Sequence, residues 1–202
     1  MFDVLIIGGG VSGVSCALVL GSAKNKPFVQ EKNIGIIAHQ KSSDLQNALF
    51  NNAYGILPGT LGADLLNSSL QQLSESYPHV SQILNEKVIA IEGHFPEFKI
   101  ITNKNSYLTK KIVVAIGFSN TFSIEGLMHY VVPHQKTLPE KQRIQLLNND
   151  HKVAEGIYVA GTLAGWRSQL AIAAGSGAAV ATDVLTVWNN NVAAQSHDSI
   201  KK

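Results

Sequence analysis

The sequence predicts an α/β protein in which helices cover a central parallel sheet, with a small antiparallel β-meander attached. Three continuous apolar runs end at glycines and are typical of parallel strands buried on both faces: residues 3–7, 111–117 and 156–161. The first run leads through a glycine turn into an apolar helical pattern, as expected of a strand–turn–helix unit. Three further segments have short strand patterns that predict the meander: residues 87–92, 98–102 and 106–108.

The turn after the first strand carries the spacing G-x-G-x-x-G at Gly8, Gly10 and Gly13. The first glycine permits a tight turn, the second lets a diphosphate approach the backbone, and the third lets helix and strand pack closely. Free N–H groups and the helix dipole favour an anion at the start of the helix. The spacing therefore predicts a dinucleotide site, and the alternative is a glycine-rich turn without a ligand.

An acidic residue downstream strengthens this prediction. Glu31 ends the apolar segment 27–31, which lies 18 residues after Gly13. A carboxylate in that position accepts both hydroxyls of an adenosine ribose. The stretch that follows, through Asn52, is polar and irregular.

Composition limits the classes of function. A chain of 202 residues with 45 % hydrophobic residues predicts one large domain with a sizeable core. The net charge of +2, without a basic stripe, argues against a dedicated nucleic-acid binder. Cys16 is the single cysteine, so an intrachain disulfide, a C-x-x-C motif and a thiolate metal cluster are excluded. We expect it to be a small buried packing residue of the first helix.

The apolar start of the chain is interpreted as a first strand and not as a signal peptide. It has no basic region before it, carries Asp3 and is interrupted by three glycines. We find no apolar run long enough to span a bilayer and therefore expect a cytoplasmic protein without a membrane partner.

Two helices and one difficult segment complete the pattern. Residues 61–76 predict a helix with a core-facing leucine stripe, and residues 168–188 predict a long helix rich in small residues. Residues 118–152 are interrupted and polar, with a short helix expected near 140–147. Three histidines there are too scattered to predict a metal site: His129, His134 and His151.

Four segments, taken in order, resemble the FAD-binding domain of the thioredoxin reductase-like flavoproteins, in the pyridine nucleotide-disulfide oxidoreductase superfamily. They are the glycine turn with Glu31, residues 109–117, residues 126–130, and residues 156–161 followed by Arg167, Gln169 and a glycine–alanine helix. The resemblance covers most of the chain except about 131–152. It implies a single Rossmann-like FAD-binding domain at residues 1–190 and a polar, frayed tail at 191–202.

The resemblance also implies a set of FAD-binding residues. Those at the diphosphate would be Gly8, Gly10, Val11, Ser12 and Gly13. Those toward the adenosine would be Glu31 at the ribose, with Lys32 beside it, and the backbone of Val88 at the adenine. Those along the rest of the cofactor would be Ala115, Ile116, Gly117, Gly161 and Thr162, and then Gln169, Leu170 and Ala171 near the flavin ring. A helix start beside the ring would stabilise the negative charge of reduced flavin.

The chain departs from the family in what lies between Gly117 and Ile157. The family has an NADPH domain with a second glycine loop and a redox C-x-x-C there, whereas this chain has about forty residues and no cysteine. Residues 118–152 are therefore expected to be a short connection in place of that domain, and dithiol reduction through the chain's own cysteines is excluded. Two motif positions also differ: this chain has Thr162 where the family has an aspartate, and Ile116 where the family has a threonine.

Three functions follow as alternatives. The first is an FAD-dependent oxidoreductase with NAD(P)H or a partner reductase as electron donor, in which His39 or His134 could donate a proton. The second is a non-catalytic or partner-dependent flavin-binding subunit, with a homodimer formed through Leu127, Met128, Tyr130 and Val131. The third is an NAD-binding dehydrogenase. No catalytic acid or base is assigned, and neither the substrate nor the donor is identified.

Overall fold

The computed structural model describes residues 1–39 and 43–198, and these form three α-helices and thirteen strands. The α-helices are α1 (Val11–Ser22), α2 (Gly62–Ser76) and α3 (Leu170–Trp188). The strands in the first half are β1 (Val4–Ile7), β2 (Ile34–Ala38), β3 (Leu49–Phe50), β4 (Thr60–Leu61), β5 (Ser81–Leu84), β6 (Val88–His94) and β7 (Glu97–Thr102). The remaining strands are β8 (Ser106–Thr109), β9 (Ile112–Val114), β10 (Val131–Pro133), β11 (Ile144–Leu146), β12 (Lys152–Ala154) and β13 (Ile157–Val159).

The central sheet confirms the predicted parallel α/β class. Its strand order is β12-β13-β9-β1-β2-β5, and every pair is parallel except β12 with β13. Strands β6, β7 and β8 form the predicted antiparallel meander. Because parallel strands point the same way, five carboxyl ends meet at one edge of the sheet, which is where this architecture binds ligands.

The apolar segment 27–31, whose Glu31 is predicted to contact a ribose, is not a strand. Residues 27–31 form turns, and β2 begins only at Ile34, which pairs with Val4 at the amino end of β1. Successive backbone bonds, from Lys26 N–H to Ala23 O and from Val29 N–H to Lys26 O, continue the chain in turns after α1. Val29 is fully buried among the helices, which explains why a turn is apolar.

Two hydrophobic cores lie on opposite faces of the sheet. Val4 and Ile6 of β1 point into the core shared with α1, α3 and Leu73 of α2. Leu5 and Ile7 point into the second core, shared with the meander. The alternation of side chains along a strand therefore explains why β1 is a continuous apolar run.

Helix α3 crosses α1 at very short range. A Cβ on Gly177 would overlap the Ser12 carbonyl group, and the Ser15 hydroxyl donates to the Ala174 carbonyl oxygen at 2.8 Å. Cys16 is fully buried in this helix layer, as predicted. Burial, with a smaller contribution from Asp183, raises the pKa of its thiol.

Residues 118–152 contain a hairpin instead of the expected helix. Gln142 has a left-handed backbone, φ 47°, that stops the 3₁₀ turn Pro139–Lys141, and β11 then pairs antiparallel with β10. Leu127 and Leu146 are fully buried in the meander-side core. The predicted homodimer surface is therefore wrong for Leu127, while Met128 beside it is 49 % exposed.

Two expectations for the end of the chain also need correction. Helix α3 is long and apolar enough, by length and composition, to cross a bilayer, although its buried face packs in the helix-side core. The tail is not frayed as far as residue 198, since the Tyr77 hydroxyl donates to Asp198 at 2.6 Å and Ala194 N–H to the Thr186 hydroxyl at 3.1 Å.

A buried carboxylate holds the amino ends of the strands together. Asp3 accepts from Asn33 N–H at 2.9 Å and from Lys110 Nζ at 3.0 Å. Burial opposes its charge, but these two hydrogen bonds and the nearby lysines outweigh that effect, so the pKa of Asp3 lies below its ordinary value.

We expect Gly177→Ala to lower the free energy of unfolding by about 1–3 kcal/mol, because the added methyl forces α1 and α3 apart. The matched control is Gly175→Ala in the same helix, where a Cβ meets nothing within 4 Å. It should be neutral or gain up to about 1 kcal/mol from helix propensity. Urea unfolding measures both, and equal stabilities of the two variants would contradict the close helix crossing.

We expect Asp3→Asn to destabilise the fold by about 1–3 kcal/mol at neutral pH, because charge-assisted hydrogen bonds are lost. A folded-state pKa below the ordinary 3.8 stabilises the protein above that pH and loses this effect as the pH falls through the folded value. The stability difference between wild type and variant, measured by urea unfolding from pH 7 to 2.5, should therefore shrink in acid. A constant difference would argue against a charged Asp3.

Candidate functional site

The glycine turn between β1 and α1 lies at the carboxyl edge of the sheet. Gly8 has φ 122°, and a Cβ there would overlap the Ala115 carbonyl after β9. A Cβ on Gly13 would overlap the Gly8 carbonyl oxygen, so the helix lies directly on the turn. These contacts agree with the roles that the spacing predicts for the first and third glycines.

Gly10 is different from its two neighbours in the pattern. Its backbone, φ −82° and ψ −175°, is one that any residue adopts, and a Cβ there would meet nothing within 4 Å. It is the N-cap of α1, contributes no side-chain cap, and the first turn of α1 carries no acidic residue. The space over Gly10 is therefore open and faces the positive end of a helix, as a bound diphosphate requires.

A cavity of about 400 Å³ adjoins this turn, and we call it the trough. Four of the predicted cofactor residues line it: Gly8, Val88, Ile116 and Gly117. Its walls also include His39 after β2, Glu86 before β6 and Arg143 before β11. Strand ends that are far apart in sequence thus form one groove from the glycine turn to the meander.

The residues predicted at the diphosphate and along the rest of the cofactor, other than those already named, do not line the trough and form two groups. Val11, Ser12 and Gly13 form the first turn of α1, and Ala115 contacts the glycine turn from β9. Gly161 lies beside Ser12, so the turn after β13 meets the start of α1. Thr162 follows it, whereas Gln169, Leu170 and Ala171 stand at the start of α3 and do not line the trough.

Glu31 and Lys32 are misplaced for the predicted ribose contact. Both precede β2, at the amino edge of the sheet, where Lys32 Nζ lies 4.0 Å from Asp3 Oδ1. The glycine turn lies at the opposite, carboxyl edge. The residue that follows β2 and lines the trough is His39, and the apolar run of Ile34–Ala38 is the signal that locates it.

Glu86 is a trough residue for which the sequence gives no signal. Its carboxylate accepts hydrogen bonds from the Thr102 hydroxyl at 2.5 Å, Asn105 Nδ2 at 2.8 Å and the Tyr107 hydroxyl at 2.9 Å. The Thr102 hydrogen bond is the main cause that holds the pKa of Glu86 below its ordinary value. A charged carboxylate therefore fixes the meander against the end of β5.

His134 joins the hairpin to the turn after β13. Its Nε2 lies 3.1 Å from the Thr162 carbonyl oxygen, and its Nδ1 accepts from Lys136 N–H at 3.1 Å. A carbonyl only accepts and an amide N–H only donates, so the ring carries its hydrogen on Nε2. Both ring nitrogens are engaged with backbone groups, which favours a positioning role over the predicted role as proton donor.

Ser176 of α3 anchors the turn at Gly161. Its hydroxyl oxygen accepts from Gly161 N–H at 2.8 Å and lies 2.9 Å from His151 Nε2. Trp166 Nε1 donates to the same ring nitrogen at 3.1 Å. His151 is therefore a buried packing residue, as expected, and among the described residues no group of three or more metal-ligating side chains occurs.

These features define a class of protein. A parallel sheet with a glycine turn at its carboxyl edge, an open helix start and an adjoining trough is a Rossmann-like dinucleotide-binding fold. Residues 2–165 match the family described as pyridine nucleotide-disulphide oxidoreductase. The chain belongs to this family, which confirms the resemblance stated from the four sequence segments.

Two curated relatives illustrate the range of the match. The chain is 29 % identical over 122 residues to a ferredoxin–NADP reductase of Streptococcus pneumoniae (strain Hungary19A-6), covering 58 % of this chain and 35 % of that protein. It is 28 % identical over 152 residues to the uncharacterized oxidoreductase CzcO of Bacillus velezensis, covering 70 % and 44 %. The chain thus spans about a third to a half of the length of these relatives.

Solved structures with the same fold are thioredoxin reductase-like. A thioredoxin reductase from Gloeobacter violaceus aligns with a TM-score of 0.72 and 15 % identity, over 99 % of each chain. A ferredoxin-flavin thioredoxin reductase from Clostridium acetobutylicum aligns with a TM-score of 0.68 and 16 % identity, over 94 % of this chain and 98 % of that one. At such identities the likeness shows the fold alone.

Proposed function

We propose that this chain is an FAD-binding oxidoreductase that receives electrons from NAD(P)H or from a partner reductase. The observation that carries the proposal is the open space over Gly10 at the start of α1, two residues from Gly8, which lines the trough. FAD, when bound, supplies hydride and electron transfer, and the protein supplies position and electrostatics.

The residues of the glycine turn suit the diphosphate. The backbone of Gly10, Val11 and Ser12 begins a helix without an acidic residue in its first turn, so the helix dipole favours two negative phosphates. Gly8 and Gly13 bring strand and helix close enough to leave this backbone facing the groove. FAD and NAD share this diphosphate, so the glycine turn alone does not distinguish them.

The trough suits an adenosine and the chain that leads away from it. His39 stands where the fold brings a ribose, at the end of β2, and Val88 lies on the meander wall. Ile116 and Gly117, which follow β9, line the trough as well. The long helix α3 would present its start to the flavin ring, where a helix dipole stabilises negative charge.

In this proposal, electrons would not pass through the thiol of the chain's single cysteine. Cys16 is fully buried in α1, and burial raises the pKa of its thiol, so it is neither exposed nor a thiolate. The proteins that this chain resembles include a ferredoxin–NADP reductase and a ferredoxin-flavin thioredoxin reductase. We therefore propose that a second protein or a pyridine nucleotide exchanges electrons with the flavin.

A second candidate is a flavin-binding subunit that depends on a partner. The hairpin region exposes three large apolar side chains: Met128 at 49 %, Leu138 at 64 % and Leu147 at 59 %. Large apolar side chains exposed in one region of a chain favour a protein contact there. Light scattering combined with an NAD(P)H oxidation assay separates the two candidates, because a monomer with turnover favours the enzyme and an inactive oligomer favours the subunit.

We expect the purified chain to bind FAD and Gly10→Ala to bind it at least about tenfold more weakly, because the methyl enters the space for the diphosphate. The variant should keep its melting temperature, since its backbone geometry and surroundings accept a Cβ. Flavin absorbance after dialysis and mass spectrometry of the heat-released ligand are the measurements.

Gly13→Ala serves as the contrasting variant, because its Cβ overlaps the Gly8 carbonyl and should destabilise the fold itself. A colourless wild-type protein that takes up no added FAD would refute the proposal. Release of NAD in place of FAD would favour the dehydrogenase alternative.

A further inference from the structure

A second pocket, of about 440 Å³, gathers positive side chains, and we call it the basic pocket. The sequence has two arginines, Arg143 and Arg167, and both line it. Lys136 and Lys141 line it as well, and no acidic residue stands among its described lining residues. Four cations thus converge on one concave surface of a chain whose net charge is only +2.

The fold brings these cations together from two separate segments. Lys136, Lys141 and Arg143 belong to the connection between β10 and β11, and Arg167 lies just before α3. His134 holds the two segments together through the Thr162 carbonyl oxygen. The four cations therefore lie together because a hairpin forms where a helix was predicted. The spacing of apolar residues in the sequence does not indicate this arrangement.

Aromatic rings hold two of the cations without neutralising them. Lys136 Nζ lies 4.2 Å from the centre of the Trp166 ring, and Arg143 Cζ lies 4.8 Å from that of Phe118. Cation–π contacts orient a charge but leave it free to meet an anion. None of the four takes part in an ion pair within the described part of the chain.

Arg143 adds an independent sign of a missing partner. Its Nε is buried and has no hydrogen-bond partner among the described residues. A buried donor of a charged group costs free energy unless an acceptor satisfies it. Glu140 is nearby in sequence, but it is exposed and does not line the pocket.

We propose that the basic pocket binds a phosphoryl group carried by a small molecule. Two guanidinium forks match the geometry of phosphate oxygens, and lysines add point charges. A concave pocket of this volume suits a small ligand better than the flat surface of an acidic protein. The assignment goes beyond the proposed function and stands whether or not the trough takes up FAD.

Calorimetric titration of the full chain with inorganic pyrophosphate tests the proposal. The variant Lys141→Gln/Arg167→Gln removes two cations that line only this pocket, and should weaken binding at least about tenfold. The control Lys26→Gln/Lys104→Gln removes the same charge elsewhere and should bind as wild type does. Binding that Gly10→Ala removes and the Lys141→Gln/Arg167→Gln variant keeps would locate pyrophosphate at the glycine turn and not in this pocket.

Tryptophan emission gives a second readout. A phosphate that draws Lys136 away from the Trp166 ring should change the emission of wild type but not of Trp166→Phe. Parallel titrations with NADP⁺ and NAD⁺ distinguish the molecules that could carry the phosphoryl group. Tighter binding of NADP⁺ than of NAD⁺ indicates the phosphate of a nucleotide. Tighter binding of pyrophosphate than of either nucleotide indicates a free phosphate compound. Both results support the site.

Two outcomes overturn the inference. One is equal affinity of wild type and the Lys141→Gln/Arg167→Gln variant for pyrophosphate. The other is binding of polyglutamate but not of pyrophosphate, at about 0.1 M salt, which would indicate an acidic protein partner instead. The titrations are done with and without added FAD. If the chain takes up no FAD, the titration without FAD still tests whether this pocket binds pyrophosphate.

Discussion

Helix α1 packs in backbone contact with both the glycine turn and α3, and this close packing fixes the position of the candidate site. Gly13 lets the helix lie on the Gly8 carbonyl, and Gly177 lets α3 lie on the Ser12 carbonyl. Any side chain at these two points would push α1 away from the sheet or from α3. With both contacts made, the start of α1 is fixed at the carboxyl edge, and Gly10 is left facing open space.

The same constraint connects the site to the fold. Gly161, after β13, lies beside Ser12, and its N–H donates to Ser176 of α3. His134 then ties the hairpin to Thr162. Arg143 lines both the trough and the basic pocket, whereas the segment between β13 and α3 contributes Arg167 to the basic pocket alone.

How much of this could be predicted from the sequence depended on how local the signal was. The glycine spacing and the apolar runs of β1, β9 and β13 are local, and they located the turn and the sheet. The ribose contact of Glu31 was predicted from the end of an apolar segment, but Val29 of that segment is apolar because it packs in a turn, and β2 starts only at Ile34. The hairpin was not predicted, because the left-handed backbone of Gln142 interrupts a segment whose composition suits a helix.

Glu86 and the basic pocket depend on contacts between segments that are distant in sequence. The spacing of apolar residues along the chain does not indicate such contacts.

The two proposed anion sites differ in physical kind. The glycine turn offers backbone and a helix dipole, whose strength depends on close approach and therefore on the absence of a side chain at Gly10. The basic pocket offers four cations, two of them against aromatic rings, whose attraction for an anion falls with ionic strength. A backbone cradle selects a ligand by shape and holds it in one position, as a resident cofactor needs. A cationic pocket attracts by charge and releases readily, as a ligand that comes and goes needs. Under the two proposals, the chain would retain one ligand and exchange another by different chemistry.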